Sequence, residues 1–78
     1  MIERDVEARV AAAIAGARVA AHGDDHRMEI RVIAEAFNGL SRVKKQQLVY
    51  AAIADLIADG RLHAVSIQAL TPAEASAG

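Results

Sequence analysis

Apolar residues recur along this chain in two rhythms, and the switches between them mark out its elements. At the start, Ile2, Val6, Val10 and Ile14 fall four apart, with Ala13 beside them and Glu3, Arg4, Glu7 and Arg9 largely on other faces. That spacing predicts an amphipathic helix from about Ile2 to Ala15, stopped by Gly16 as a left-handed cap. Ala17 to Ala21 reads as a short, weak strand. His22-Gly23-Asp24-Asp25-His26 follows as a turn, because glycine and aspartate tolerate the backbone angles that turns demand. From Arg27 to Ala34 the rhythm becomes strict alternation: Met28, Ile30, Val32 and Ala34 face one way, and Arg27, Glu29, Arg31 and Ile33 the other. This is the signature of a half-buried strand.

After Phe37-Asn38-Gly39-Leu40, Ser41 is a suitable N-cap for the longest helix. Its apolar stripe is Val49, Ala52, Ile53, Leu56 and Ile57, with Val43 and Leu48 near its start, and Asp59-Gly60 closes it. A third strand then places His63, Val65, Ile67 and Ala69 on one face and Ala64, Ser66, Gln68 and Leu70 on the other. Thr71-Pro72-Ala73-Glu74 has the cap, first-turn proline and capping-box glutamate of a helix start. So near the end of the sequence, at most one turn is expected, with residues 74–78 a frayed tail. The order is α-β-β-α-β. The first two strands make an antiparallel hairpin, and the crossover through the long helix lays the third parallel to the second. The expected fold is a two-layer α+β domain over residues 1–78, with a three-stranded mixed sheet covered by helices on one face.

Composition narrows the function more than the fold. The chain has 78 residues, too few for two cores, and much of its 54% hydrophobic content is alanine. Only Phe37 and Tyr50 are aromatic, so the core rests on Ile, Val and Leu with Phe37 as its one large plug. Nine basic and ten acidic residues give a formal net charge of −1, so a nucleic-acid reading needs a local patch. Cysteine is absent, which excludes disulfides, thiol catalysis and any thiolate ligand from this chain. No apolar run approaches the roughly 18 residues of a membrane span, and the N-terminus lacks the pattern of a signal peptide. A soluble, cytoplasmic protein is expected.

The stretch from Glu35 to Glu74 carries several spaced motifs in register. These are Glu35-Ala36-Phe37-Asn38-Gly39, the run from Ser41 to Tyr50, the run from Ile57 to Ile67, and Thr71-Pro72-Ala73-Glu74. Together they resemble the BolA family. The Ser-Arg-Val-Lys-Lys-Gln-Gln segment, where many relatives carry an Arg-His pair, resembles its IbaG-like branch. The resemblance implies a class II KH-like fold and a binding or regulatory role rather than an enzymatic one. It also implies partnership with a monothiol glutaredoxin, with which such proteins share a [2Fe–2S] cluster, and links to stress responses and transcriptional control.

On that resemblance His63, in the His-Ala-Val motif, is the expected cluster ligand; imidazole suits iron and can replace thiolate in such a cluster. Residue chemistry alone leaves a structural histidine as the commoner alternative. One histidine cannot hold a cluster, so the thiolates would come from a glutaredoxin cysteine and glutathione, with no cluster in the isolated protein. The family's second ligand, His or Cys, directly precedes the first large apolar residue of the second strand. Here Arg27 holds that position before Met28. His26 lies one residue earlier, leaving a shifted ligand or a solvated loop histidine as alternatives; His22 is further away. A closed structural zinc site would need four ligands of defined spacing. Arg42, Lys44 and Lys45 form a basic cluster at the start of the long helix, where free amides already favour anions. They are the candidates for DNA, another anion or an acidic partner, or simply a solvated face. Against nucleic acid, Gly39-Leu40-Ser41-Arg42 has only the first glycine of a Gly-x-x-Gly loop. Asp24 and Asp25 read as turn residues. Ala75 stands where the family commonly has Trp. Alone, the protein is expected to be a monomer or weak homodimer.

Overall fold

The computed structural model describes residues 2–77. Helix α1 spans Ile2–Ala13, strands β1 and β2 span Arg18–Gly23 and Met28–Ile33, helix α2 spans Arg42–Ala58, strand β3 spans Val65–Leu70, and helix α3 spans Pro72–Ala77. A 3-10 turn, Glu35–Phe37, follows β2. The sheet order is β1-β2-β3, antiparallel between β1 and β2 and parallel between β2 and β3. The α+β fold with a three-stranded mixed sheet is therefore the one the hydrophobic rhythm predicts.

Register explains which side chains are buried. Met28, Ile30 and Val32 on β2 stand opposite Val65, Ile67 and Ala69 on β3, and opposite Gly23, Ala21 and Val19 on β1. This row meets Val6, Val10 and Ile14 from the first helix and its exit, and Val49, Ile53 and Leu56 from α2. Phe37 is fully buried among them, and Leu62, on the way into β3, is 1% exposed. The other row (Arg18, Ala20 and His22 on β1, Glu29 and Arg31 on β2, Ser66 and Gln68 on β3) makes the outer face.

Several boundaries differ from expectation, among them the third strand, which starts at Val65 rather than His63. The first helix ends at Ala13, two residues early, and Ile14 and Gly16 complete the exit, Gly16 with φ +72°. Ala13 is exposed rather than packed in the stripe. Strand β1 takes in His22 and Gly23, since pairing with β2 continues to Gly23 opposite Met28. Finally, the segment expected to fray from Glu74 is helical to Ala77. The capping box forms: Thr71 N–H donates to Glu74 Oε1 at 2.8 Å, and Glu74 N–H donates to Thr71 Oγ1 at 3.1 Å. Residue 78 lies outside the described part.

Helix α2 starts as predicted, with Ser41 Oγ accepting the Lys44 N–H at 3.2 Å. Val43 and Leu48, expected beside its apolar stripe, are 64% and 42% exposed. An ion pair between Arg9 and Asp55 links the two long helices. Each outer strand also receives a helix side chain. The Ala21 N–H on β1 donates to Glu7 Oε2 at 3.0 Å, and Gln46 Nε2 on α2 donates to the Ile67 carbonyl on β3 at a long 3.5 Å.

Candidate metal centre

The site begins with a glycine. At Gly23, φ is +129°, and a Cβ there would sit 2.1 Å from the Arg27 carbonyl oxygen. Only glycine fits, and the β1–β2 turn closes tightly over it. Asp24 then organises the turn. Its Oδ1 accepts the N–H groups of His26 and Arg27, both at 3.0 Å, and its own N–H donates to the Arg27 carbonyl at 3.0 Å. This is the local side-chain capping that favours aspartate in turns.

The turn is tied to the segment leading into β3. His63 N–H donates to the Asp25 carbonyl, and Met28 N–H to the Ala64 carbonyl, both at 2.9 Å. Parallel pairing of β2 with β3 sets this alignment, because Met28 and Val65 open the two strands side by side. Histidines far apart in the chain thereby become neighbours. The rings of His26 and His63 stack with centroids 5.4 Å apart and planes at 15°. Both residues are exposed and lie outside the core. A ligand atom from Asp25 joins them, and the three such atoms lie within 4.8 Å of one another.

His63 and His26 are thus brought together, and the one-residue departure at Arg27 does not separate them. Arg27 contributes its backbone to the turn, and its side chain is exposed. His22 lies elsewhere, on the outer face of β1 opposite Glu29. Asp25 is a ligand-type residue that sequence reasoning assigned to the turn. Its only signal was adjacency to His26, and what gives that adjacency meaning is the distant hydrogen bond to His63.

The expected basic cluster is not one surface. Arg42 and Lys44 are exposed, but Lys45 is 8% exposed and its Nζ sits 2.7 Å from Glu74 Oε1. The reason is helical geometry: Lys45 precedes Val49 and Ile53 at intervals of four, on the buried stripe. Its ammonium and the Thr71 amide hold the Glu74 carboxyl down to about 2. Asp59, beyond the end of α2, is likewise lowered by hydrogen bonds from Arg61. Among the described residues, the start of α2 therefore offers two exposed cations rather than three.

Among the described residues no helix is long and apolar enough to cross a membrane. The family profile described as BolA-like protein matches residues 7–74. The acid stress protein IbaG of Escherichia coli strain K12 is 54% identical over 52 residues, covering 67% of this chain and 62% of IbaG. The match thus spans less than two thirds of that relative. A BolA homologue from Coxiella burnetii superimposes with a TM-score of 0.79 at 28% identity, covering 94% of both chains. The BolA domain of SufE1 from Arabidopsis thaliana gives 0.74 at 27% identity, again over 94% of each. Element order, sheet topology and the profile match over most of the sequence agree: the chain belongs to the BolA family.

Proposed function

We propose that this protein is a cytoplasmic, non-enzymatic adaptor that docks on a monothiol glutaredoxin and lends His63 and His26 to a bridging [2Fe–2S] cluster. The observation that carries this reading is the pair of exposed, stacked imidazoles assembled from two separate loops. The donor set fits the group. Two imidazoles can occupy one iron of a [2Fe–2S] centre in place of two thiolates, which raises its potential. The cysteine-free chain cannot furnish the remaining ligands, so the thiolates come from the glutaredoxin cysteine and glutathione. When bound, the cluster supplies one-electron redox chemistry and a transferable iron–sulfur unit. This chain's part is positional: the Asp24 turn and the Asp25–His63 backbone bond hold both rings at an open surface where a second protein can approach. The likeness to a relative named for acid stress supports a role in a stress response.

The test is to mix the protein with a monothiol glutaredoxin, iron, sulfide and glutathione, and to record visible absorption and circular dichroism. The expected result is a spectrum distinct from that of the glutaredoxin alone, lost in His63→Ala. A spectrum indifferent to the added protein refutes the adaptor role, and a His63→Ala variant that behaves as the parent removes the histidine from it.

A further inference from the structure

We infer that Asp25, His26 and His63 form a mononuclear site for a divalent first-row transition ion, filled by this chain alone. The inference shares two imidazoles with the cluster reading but needs neither sulfide nor a second protein, and it gives the Asp25 carboxylate a role that reading leaves unassigned.

The chemistry of the donors sets the class of ion. Two neutral imidazoles and one carboxylate suit zinc or ferrous iron rather than magnesium or calcium, which take oxygen ligands. Three protein ligands also fall short of the four in a closed structural zinc site, and match sites that leave a position open to water or an outside ligand. The geometry is close to what an ion requires. A tetrahedral zinc with bonds of roughly 2.0–2.2 Å places its ligand atoms about 3.3–3.5 Å apart. The three atoms here lie within 4.8 Å of one another, and the stacked imidazoles, whose lone pairs lie in nearly parallel planes, have to turn out of the stack for both to aim at one ion. The backbone already brings the three residues together. Asp25 and His63 are already joined by a 2.9 Å hydrogen bond from the His63 N–H to the Asp25 carbonyl, and His26 is fixed through its own N–H to Asp24. Asp24 is not a fourth ligand in this scheme, since one of its oxygens is taken by two turn amides.

The test titrates Zn2+ into the untagged full chain by calorimetry, with no glutaredoxin, sulfide or glutathione present, and repeats it with Co2+, whose visible bands report coordination. One ion per chain is expected. Outer-sphere changes already cost metal sites about 10–100-fold, so His26→Ala, His63→Ala and Asp25→Asn should each weaken binding at least about tenfold. His22→Ala, on the sheet's outer face, should leave binding unchanged. All four side chains are exposed, so the variants should fold, which far-ultraviolet circular dichroism verifies. The inference is overturned by the absence of saturable binding, by binding that depends on His22 instead, or by an Asp25→Asn variant that binds as tightly as the parent. None of these outcomes bears on the glutaredoxin experiment. A cluster spectrum that survives Asp25→Asn while Zn2+ binding is lost would separate the two sites' ligand sets.

Discussion

Replacing Gly23 by alanine should both destabilise the protein and disorganise the turn that carries Asp25 and His26. The new Cβ would meet the Arg27 carbonyl oxygen at 2.1 Å, where ordinary contact begins at 3.4 Å, an overlap of 1.3 Å. The obstacle is backbone, so no side-chain rotation relieves it. The Arg27 peptide has to swing away, which breaks the Asp24 N–H to Arg27 carbonyl bond. A residue forced into unfavourable backbone angles costs about 1–3 kcal/mol, and a lost hydrogen bond about 1 kcal/mol more. The sum, about 2–4 kcal/mol, is a large part of the roughly 4–12 kcal/mol expected for 78 residues at about 0.05–0.15 kcal/mol each. At about 4–8 °C per kcal/mol for a domain of this length, Tm should fall by roughly 10 °C or more. Gly16→Ala is the control. It shares a positive φ, +72°, but its Cβ would meet nothing within 4 Å, so it should cost only the left-handed penalty of about 1–2 kcal/mol. Urea denaturation of both variants isolates the collision. Equal losses in the two, or a Gly23→Ala protein within about 0.5 kcal/mol of the parent, would refute the reasoning.

Phe37→Ala removes the largest buried ring and should cost about 3–5 kcal/mol, leaving a marginal fold; a loss under about 1 kcal/mol in urea would mean the core closes over the cavity. The Glu74 carboxyl is held at about 2 in the folded chain against an ordinary 4.5, so its ionised form favours the fold. That contribution is complete above pH 4.5 and disappears as the pH falls toward 2. Glu74→Gln should flatten the stability profile in this window, and an unchanged slope would show that other carboxylates dominate acid unfolding.

Alternation along β2 was legible because every second residue from Met28 is apolar and the interior is on one side only. Strand β1 was less so: its Ala20, Ala21, His22 and Gly23 carry little rhythm, and its extent is set by pairing with β2. The long helix exposed a different weakness. Lys44 and Lys45 are adjacent in sequence, yet a step of one residue turns about 100° around the axis. The interval of four from Lys45 to Val49 and Ile53 was the one signal that Lys45 faces inward, but charge alone grouped it with Arg42 and Lys44. Its counter-charge, Glu74, comes from a short helix expected to fray. The candidate site was half visible: the family resemblance named His63 and His26 as candidates, the latter one residue off the family position. Their meeting, with Asp25 beside them, depends on a parallel strand pairing that only tertiary structure fixes.

The unequal treatment of the sheet's two margins has a consequence for self-association. A sheet border with vacant amides invites an incoming chain to extend it. Along the hairpin's outer border, the Glu7 carboxylate already takes up one such amide at 3.0 Å, and an intruding chain would have to displace it. Among the described residues, the opposite border has one such helix side-chain contact, the Gln46 side-chain amide donating to the Ile67 carbonyl at 3.5 Å. Any stacking of copies into longer ribbons therefore starts more readily at Val65–Leu70 than at Arg18–Gly23.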